Sequence, residues 1–383
     1  MGRKYRDNGT CGPQFVSTDV YSAFYYFDFP IRTGIKKLGS TIERAYSSTE
    51  PTKFTEAKVE YFYDNLNSNH QQLSRRITLD SEGNTLKTQY WYPADYAAID
   101  NFPALLGKNV ISKPVKEETH RNGLLIAGKI NRLNADGEIF EVYQYESAIP
   151  GTPSGHNAGV LIPPAFIKKM EVSYDASSKN ITKVQTVDDV GTVYLWAYNN
   201  SYPVAKAVNT TSIEIAATSF ESDGKGNWVY TGPIYSDISA KTGRYYYKLG
   251  GGSIVKGLAP GKYKLEYWAK GTVNLSGATI VNIRTSPPDA NGWILYEKEV
   301  TASAASTLTL SGTSTAFIDE LRLYPASSQI TTYTYDRLNG ITSINDPTGV
   351  ITYYDYNNAG QLKWLRDKNG SIVRALEYHF KMK

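Results

Sequence analysis

The stretch TTYTYDRLNGITSINDPTG at 331–349 is followed by TYYDYNNAGQLKWLRDKNG at 352–370, and a shift of 21 residues lays one on the other. Tyr333 then falls on Tyr354, Tyr335 on Tyr356, Ile344 on Leu365, Asp346 on Asp367 and Gly349 on Gly370. Self-similarity at a fixed period marks a repeat-built protein, in which no unit buries its apolar face alone. The tyrosines alternate with Thr, Tyr or Asp, the period of two that a strand with two different faces requires. Asn339-Gly340 and Ala359-Gly360 are turn signals, and Ile341 to Ile344 and Leu362 to Leu365 read as returning strands. Asp346-Pro347-Thr348-Gly349 and Asp367-Lys368-Asn369-Gly370 close the units, with Pro and Gly where a turn needs them. Tyr333, Tyr335, Tyr354, Tyr356, Leu362 and Trp364 are the expected packing of the two repeats.

Working outward, VEYFYDNLNSNHQQLSRRITLDSEGNTLKTQYWYP at 59–93 reads as an earlier, degenerate unit with Tyr63-Asp64 and an Asp80-Ser81-Glu82-Gly83 closer. Residues 94–108 predict a short helix interrupted near Pro103. Asn122-Gly123 and Asp136-Gly137 then punctuate a three-stranded meander over 113–147. Residues 149–164 are a loop by composition, and Met170 to Tyr198 gives another unit, containing Tyr174-Asp175 and Asp188-Asp189-Val190-Gly191. From about 210 to 326 the composition shifts to Gly, Ser, Thr and Ala with Trp and Tyr. Short alternating runs between Gly and Pro signals there predict a β-sandwich. The expected organisation is therefore all-β. It comprises tyrosine-rich β units and a meander over 1–209, an inserted jelly-roll sandwich over 210–326, and two C-terminal repeats over 327–383, the repeats forming an open curved wall. An insertion should leave and return at nearly one place, with Ile213–Thr218 and Phe317–Tyr324 as antiparallel neighbours.

Tyr335-Asp336, Gly360-Gln361-Leu362, the Asp-x-x-Gly closers and the 21-residue spacing resemble the YD repeats of RHS proteins, known from bacterial toxin shells and animal teneurins. The phrase at 331–381 looks like the C-terminal end of RHS repeat proteins from Bacteroidetes, and VYLWAYNNSYPVAKAVN at 193–209 is similar to a segment preceding that end. With Phe220-Glu221, APGKYKLEYWAKG and FIDELRLYP, the inserted stretch resembles jelly-roll, carbohydrate-binding-like modules of bacterial extracellular proteins. These resemblances imply a secreted or cell-surface scaffold, with the rest of a longer RHS parent as one partner. Two further functions are implied as alternatives: a glycan-binding module recognising a cell-surface polysaccharide, and part of a toxin-encapsulating shell. They also imply a structural calcium ion held by Glu221, Asp223 and Asp319, where such modules place their ligands.

Forty-one basic residues against 37 acidic ones leave a net charge of +4, too even for a nucleic-acid partner held by electrostatics. The single Cys11 excludes an intrachain disulfide framework or a multi-cysteine metal site and reads as a free thiol. No run has the apolar length of a membrane span. MGRKYRDNGTCG has basic residues without a hydrophobic stretch behind them, so no export signal is visible, and Arg6 stands where a myristoylation site needs Ser or Thr. A β-repeat chain beginning so abruptly is expected to be a fragment of a longer protein.

The residues predict no enzyme. His70, His120, His156 and His379 fall in different units, and neither a nucleophile elbow nor a phosphate-binding loop occurs. Asp188-Asp189 and Asp319-Glu320 are adjacent carboxylates, which on a regular strand point to opposite faces and cannot act as a pair. Asp346 to Gly349 superficially resembles the self-cleavage segment of toxin shells, but a full repeat follows it and it reads as a turn. The expected ligand surface is the polar face of GKYKLEYWAK, where alternation sets Glu266 and Trp268 among lysines. If the strands adjoin, Tyr246 and Trp268 offer platforms for sugar rings, and Glu266, Asn282 and Arg284 offer hydrogen bonds to hydroxyls.

Overall fold

The computed structural model describes residues 35–50, 52–64, 70–157 and 159–379. Cys11, Arg6 and the rest of the N-terminal stretch lie outside the described residues. The protein is all-β. A 16-stranded antiparallel sheet runs in chain order from Ser40–Tyr46 to Tyr202–Val208, and there passes directly to Gln329–Asp336 and on to Ile372–Ala375. Ala205 pairs with Thr332 and Val208 with Gln329, so the long sheet closes over the 120-odd intervening residues as if they were a loop.

One turn recurs along this sheet and explains its Asp-x-x-Gly signature. In each copy an Asp or Asn side-chain oxygen accepts backbone N–H groups two and four residues on, and its carbonyl accepts from a glycine three residues on. This occurs at Asp80, Asn134, Asp346, Asn357 and Asp367. The glycine takes positive φ, from 73° at Gly360 to 86° at Gly370, a conformation that a Cβ penalises. Ala359-Gly360 and Asp136-Gly137 thus belong to longer Asx turns and are not two-residue hairpins. Asn122-Gly123 is a two-residue hairpin, linking Arg121 to Leu124 with both φ values positive.

The helix expected over 94–108 is a 3-10 turn at Pro93–Tyr96 and a short α-helix at Phe102–Gly107. Pro103 opens that helix and does not break it, because the missing N–H falls where no intrahelical partner exists. The helix and the 149–164 loop cover one face of the N-terminal half of the sheet, and Trp91, Tyr96, Phe102, Leu105, Ile130 and Phe166 form the core beneath.

The intervening residues build two facing sheets. The larger orders Ile234–Ser236, Tyr245–Lys248, Phe317–Pro325, Gly261–Lys270, Ile294–Ala302 and Thr279–Thr285, and Ala216–Thr218 also pairs with Phe317–Pro325, antiparallel. The smaller orders Ile254–Leu258, Ser306–Gly312 and Val273–Ser276. Ile254, Leu308 and Leu310 of the small sheet meet Tyr263, Leu265 and Tyr267 of the large one in an apolar core.

The outer face of the larger sheet is not solvated, because it lies on the long sheet. Tyr324, Ile215 and Ala217 pack with Val193, Ala205 and Ile330, and Trp268 and Trp293 pack with Ile351. Strand Gly261–Lys270 is therefore buried on both faces over 265–269. Charged groups pin the contact. Arg322 donates to Glu266 (Nε–Oε2 2.6 Å) and to the carbonyls of Asn345 and Asp346 (3.3 and 2.9 Å), which makes the Asp346–Gly349 turn a docking point.

The six residues expected to pack the terminal repeats are half-buried. Tyr335 stacks on Tyr202 of the neighbouring unit at 4.7 Å, and the Tyr356 hydroxyl donates to the Ile341 carbonyl at 2.7 Å.

Candidate functional site: a cleft between two sheets

Where the two-sheet unit meets the terminal repeats, a cleft of about 910 Å³ opens. Its walls are the 238–245 and 289–291 loops on one side, and on the other the segments around Tyr335–Leu338, Tyr353–Asp355 and Arg366–Gly370. The first loop is held from three directions. Asp319 accepts the backbone N–H groups of Lys241 and Thr242 at 2.8 and 3.1 Å, and the Tyr353 hydroxyl donates to the Lys241 carbonyl at 2.8 Å. The Lys241 ammonium lies 3.8 Å from the centre of the Trp268 ring and bonds Asp289 at 3.0 Å. On the opposite wall, the Tyr335 backbone donates to the Tyr198 hydroxyl at 3.1 Å and the Tyr335 hydroxyl donates to the Pro203 carbonyl at 2.8 Å.

The carboxylates buried behind the cleft wall depend on an irregularity. Glu266 pairs with Arg322 but Trp268 pairs with Asp319, so strand Phe317–Pro325 carries one extra residue there, and Glu320 has a φ of +46°. This bulge corrects the expectation that Asp319 and Glu320 face apart. Both are buried. The Asp319 carboxyl is held well above its usual range by burial first and by the neighbouring Glu320 second, against the N–H of Thr242. Glu320 accepts from Thr242, Thr332 and Asn345, binding the long sheet. Glu221, at the cleft surface, accepts the N–H groups of Arg244 and Tyr245 at 2.8 and 2.5 Å. Burial nevertheless pushes its carboxyl up to about 7, and Glu320 adds to the rise. Gly243 takes φ +59° against Glu221, where a Cβ would collide with the carboxylate.

The expected sugar face is not assembled. Trp268 is 6% exposed and lies under Lys241, and Glu266 is buried against Arg322 and Tyr324. The reason is the packing of that face on the long sheet, which alternation within one strand does not reveal. Tyr246 is half-buried among Tyr235, Trp293 and Phe317. Asn282 and Arg284 are exposed, but on the strand at the far edge of the larger sheet from Tyr246, where Arg284 pairs with Glu297.

The calcium set is likewise not brought together. The exposed Asp223 accepts from the Asn199 backbone at 2.9 Å, while one oxygen of Glu221 and both of Asp319 already accept backbone N–H groups. Among the described residues, no group of three or more His, Cys, Asp or Glu is placed to hold a metal ion.

The histidines are less scattered than their spacing suggests. His70 lies 3.5 Å from Asp95, His156 lies 2.6 Å from the Asp95 carbonyl, and His120 bonds Glu118 at 3.1 Å. Ser154, on the covering loop, donates to Glu118 and accepts from Lys116 at 2.7 Å. Lys116 also bonds Glu118 and the Gly155 carbonyl, at 3.0 and 2.6 Å. All three of its N–H donors are thus spent, which makes it a tethering ammonium and not a base for Ser154. His379 is exposed and remote from this group.

No family profile matches the chain. No curated protein matches it. Solved structures that match include an exo-β-1,3-galactanase from Phanerochaete chrysosporium with β-1,3-galactotriose, 14% identical over 74% of this chain and 78% of its own, at a TM-score of 0.19. They also include the TcdB2-TccC3 complex, at 10% identity, 85% of this chain, 17% of that one and a TM-score of 0.19. The Photorhabdus luminescens Tc holotoxin pore matches at 9%, 89%, 22% and 0.20. The chain spans about a fifth of the Tc chains that it matches. TM-scores of this size mark shared runs of strand, not one superposable architecture. The expectation that the chain is no enzyme does not stand, since a glycan-active protein is among the matches, although the match assigns no reaction to this chain. Among the described residues, no helix is long and apolar enough to cross a membrane, which says nothing of a β-barrel. The chain is an all-β protein whose weak structural neighbours include Tc toxin chains and an exo-β-1,3-galactanase.

Proposed function

We propose that this chain is a section of a secreted or cell-surface RHS-type β-repeat protein, of the kind found in Bacteroidetes, whose inserted sandwich and terminal repeats together bind a glycan. Its units are the repeats and meander over 1–209, a jelly-roll sandwich over 210–326 and the closing repeats over 327–383. The cleft of about 910 Å³ carries the reading, because it is a concave site at a junction between units. Tyrosines and polar side chains converge on it, a composition that suits polyhydroxylated ligands. Association with further β units of a parent protein is supported by the edge strands Ser40–Tyr46 and Ile372–Ala375, each paired on one side among the described residues. Ile42 and Tyr46 on the first edge and Ile372 and Val373 on the second are exposed.

The test is a glycan array followed by calorimetry and product analysis on the wild type and on Tyr245→Ala, which removes an exposed ring at the cleft. A retained glycan whose affinity falls in the variant supports the reading, and any hydrolysed product would add a reaction to it. Failure to retain any glycan, or retention indifferent to Tyr245, overturns it.

A further inference from the structure

We propose that the cleft selects an acidic saccharide, one carrying carboxylate or sulfate groups; this rests on the glycan reading above. The inference comes from which charges in the cleft are already satisfied. Asp289 is engaged by Lys241 at 3.0 Å and by the backbone N–H groups of Asn291 and Trp293 at 2.9 Å each. Asp336 caps its own turn, accepting from Leu338 and Asn339 at 2.9 and 3.0 Å. Asp355 is paired with Arg366, Nη2 to Oδ1 at 2.8 Å, and Glu221 is occupied by the backbone of Arg244 and Tyr245.

The cations are not matched in this way. Arg244, Arg337 and Lys368 line the same cleft, are exposed, and form no ion pair among the described residues. They come from three separate turns: the loop after Gly243, the turn after Asp336 and the turn after Asp367. They therefore flank one volume from both the two-sheet unit and the long sheet. Counting every lining side chain, five cations (Lys241, Arg244, Arg337, Arg366 and Lys368) stand against four carboxylates (Glu221, Asp289, Asp336 and Asp355). A concave site with an excess of positive charge concentrates field lines on its occupant. A guanidinium recognises a carboxylate or sulfate through paired N–H donors that a neutral hydroxyl cannot match. A neutral glycan would be served by the tyrosines and by Asn291 and Asn369, and would leave these three cations without an anionic partner in the cleft. A nucleic acid asks for something else, a groove that tracks a backbone with successive flat rings.

The experiment compares α-1,4-linked tetragalacturonate with the neutral tetragalactose of the same linkage, by calorimetry on the full chain. The two probes differ only in the oxidation of C6. Tetragalacturonate is expected to bind about tenfold more tightly or better, with affinity falling as salt is raised from about 50 to about 300 mM. The double variant Arg244→Ala/Arg337→Ala is expected to remove that preference while leaving the melting temperature in place, because neither side chain takes part in an internal ion pair. Equal binding of both probes, or a preference unchanged in the double variant, overturns the acidic-saccharide inference and leaves the glycan reading standing. Binding of a single-stranded oligonucleotide as tightly as the uronate also overturns it. Absence of binding to either probe and to every glycan on the array overturns both.

Discussion

The two halves of the long sheet are covered in different ways. In the N-terminal half, a short helix and the 149–164 loop press down locally over an apolar core, and Lys116, Glu118, His120 and Ser154 tie the loop in place. In the C-terminal half, the cover is a separate two-sheet unit, pinned by Arg322, Glu266 and Glu320. A loop cover follows the surface beneath it and fills it. A rigid unit touches only where its own flat face allows, so it leaves a cleft at its margin. In both halves the pins are buried ions, which fix orientation more than they add stability.

The largest expected effect separates these pins. Arg322→Met leaves Glu266 buried without its cation and releases the Asp346–Gly349 turn, a loss of about 3 to 5 kcal/mol in urea unfolding. Hydrogen exchange should then rise at the contact between the two-sheet unit and the long sheet while the 149–164 loop stays protected. Lys116→Met should reverse that pattern, removing the ammonium beside Glu118 and its bonds to Ser154 and the Gly155 carbonyl, and freeing the loop. Identical exchange maps for the two variants would show that the covers are one cooperative body and not two.

Next in size is Trp268→Ala, expected to cost about 3 kcal/mol or more as a large aromatic truncation in a packed site. It also removes the ring beneath Lys241, so the cleft wall should loosen and glycan binding weaken indirectly. Binding lost without any change in stability would restore Trp268 as a contact residue. A smaller effect is expected from Trp364→Ala, about 1 kcal/mol, because this ring is half-buried with Lys363 3.9 Å from its centre. A loss as large as that at Trp268 would place Trp364 in a core that the terminal strands do not show.

Sequence alternation and the Asp-x-x-Gly spacing located the hairpins well, because both are local: the Asx turn at Asp346 is made by residues 346 to 350 alone. The alternation of Gly261–Lys270 was equally legible, but what lay on each face was not. Glu266, Trp268 and their neighbours read as a solvated face, whereas Arg322 and Ile351 cover them from segments remote in the chain. The bulge at Glu320 left no mark in the sequence, since Glu is a poor advertisement for positive φ. The cleft escaped for the same reason as the His70, His120 and His156 grouping: its residues come from separate turns that only the folded topology gathers.

The sharpest comparison of the two covers is the pH dependence of stability. In the C-terminal half Glu221 is raised from 4.5 to about 7, by burial first. Its folded form therefore holds a proton that the unfolded chain has released between these values. The stability this contributes is fully present below about 4.5 and is lost as pH rises through about 7. Asp319, also raised, adds in the same direction. In the N-terminal half, burial would raise Glu118, but its bonds from His120 and Ser154 and the charge of Lys116 prevail and hold it below 4.5. Its contribution is present above 4.5 and is lost as pH falls through its depressed folded value. Glu221→Gln should accordingly flatten the decline in melting temperature between about 4.5 and 7 and leave the acid limb untouched. Lys116→Met should alter the acid limb and leave that decline in place. A Glu221→Gln protein with the wild-type slope would mean that Glu221 is not the group that titrates there, and that its burial at the cleft is shallower than its contacts indicate.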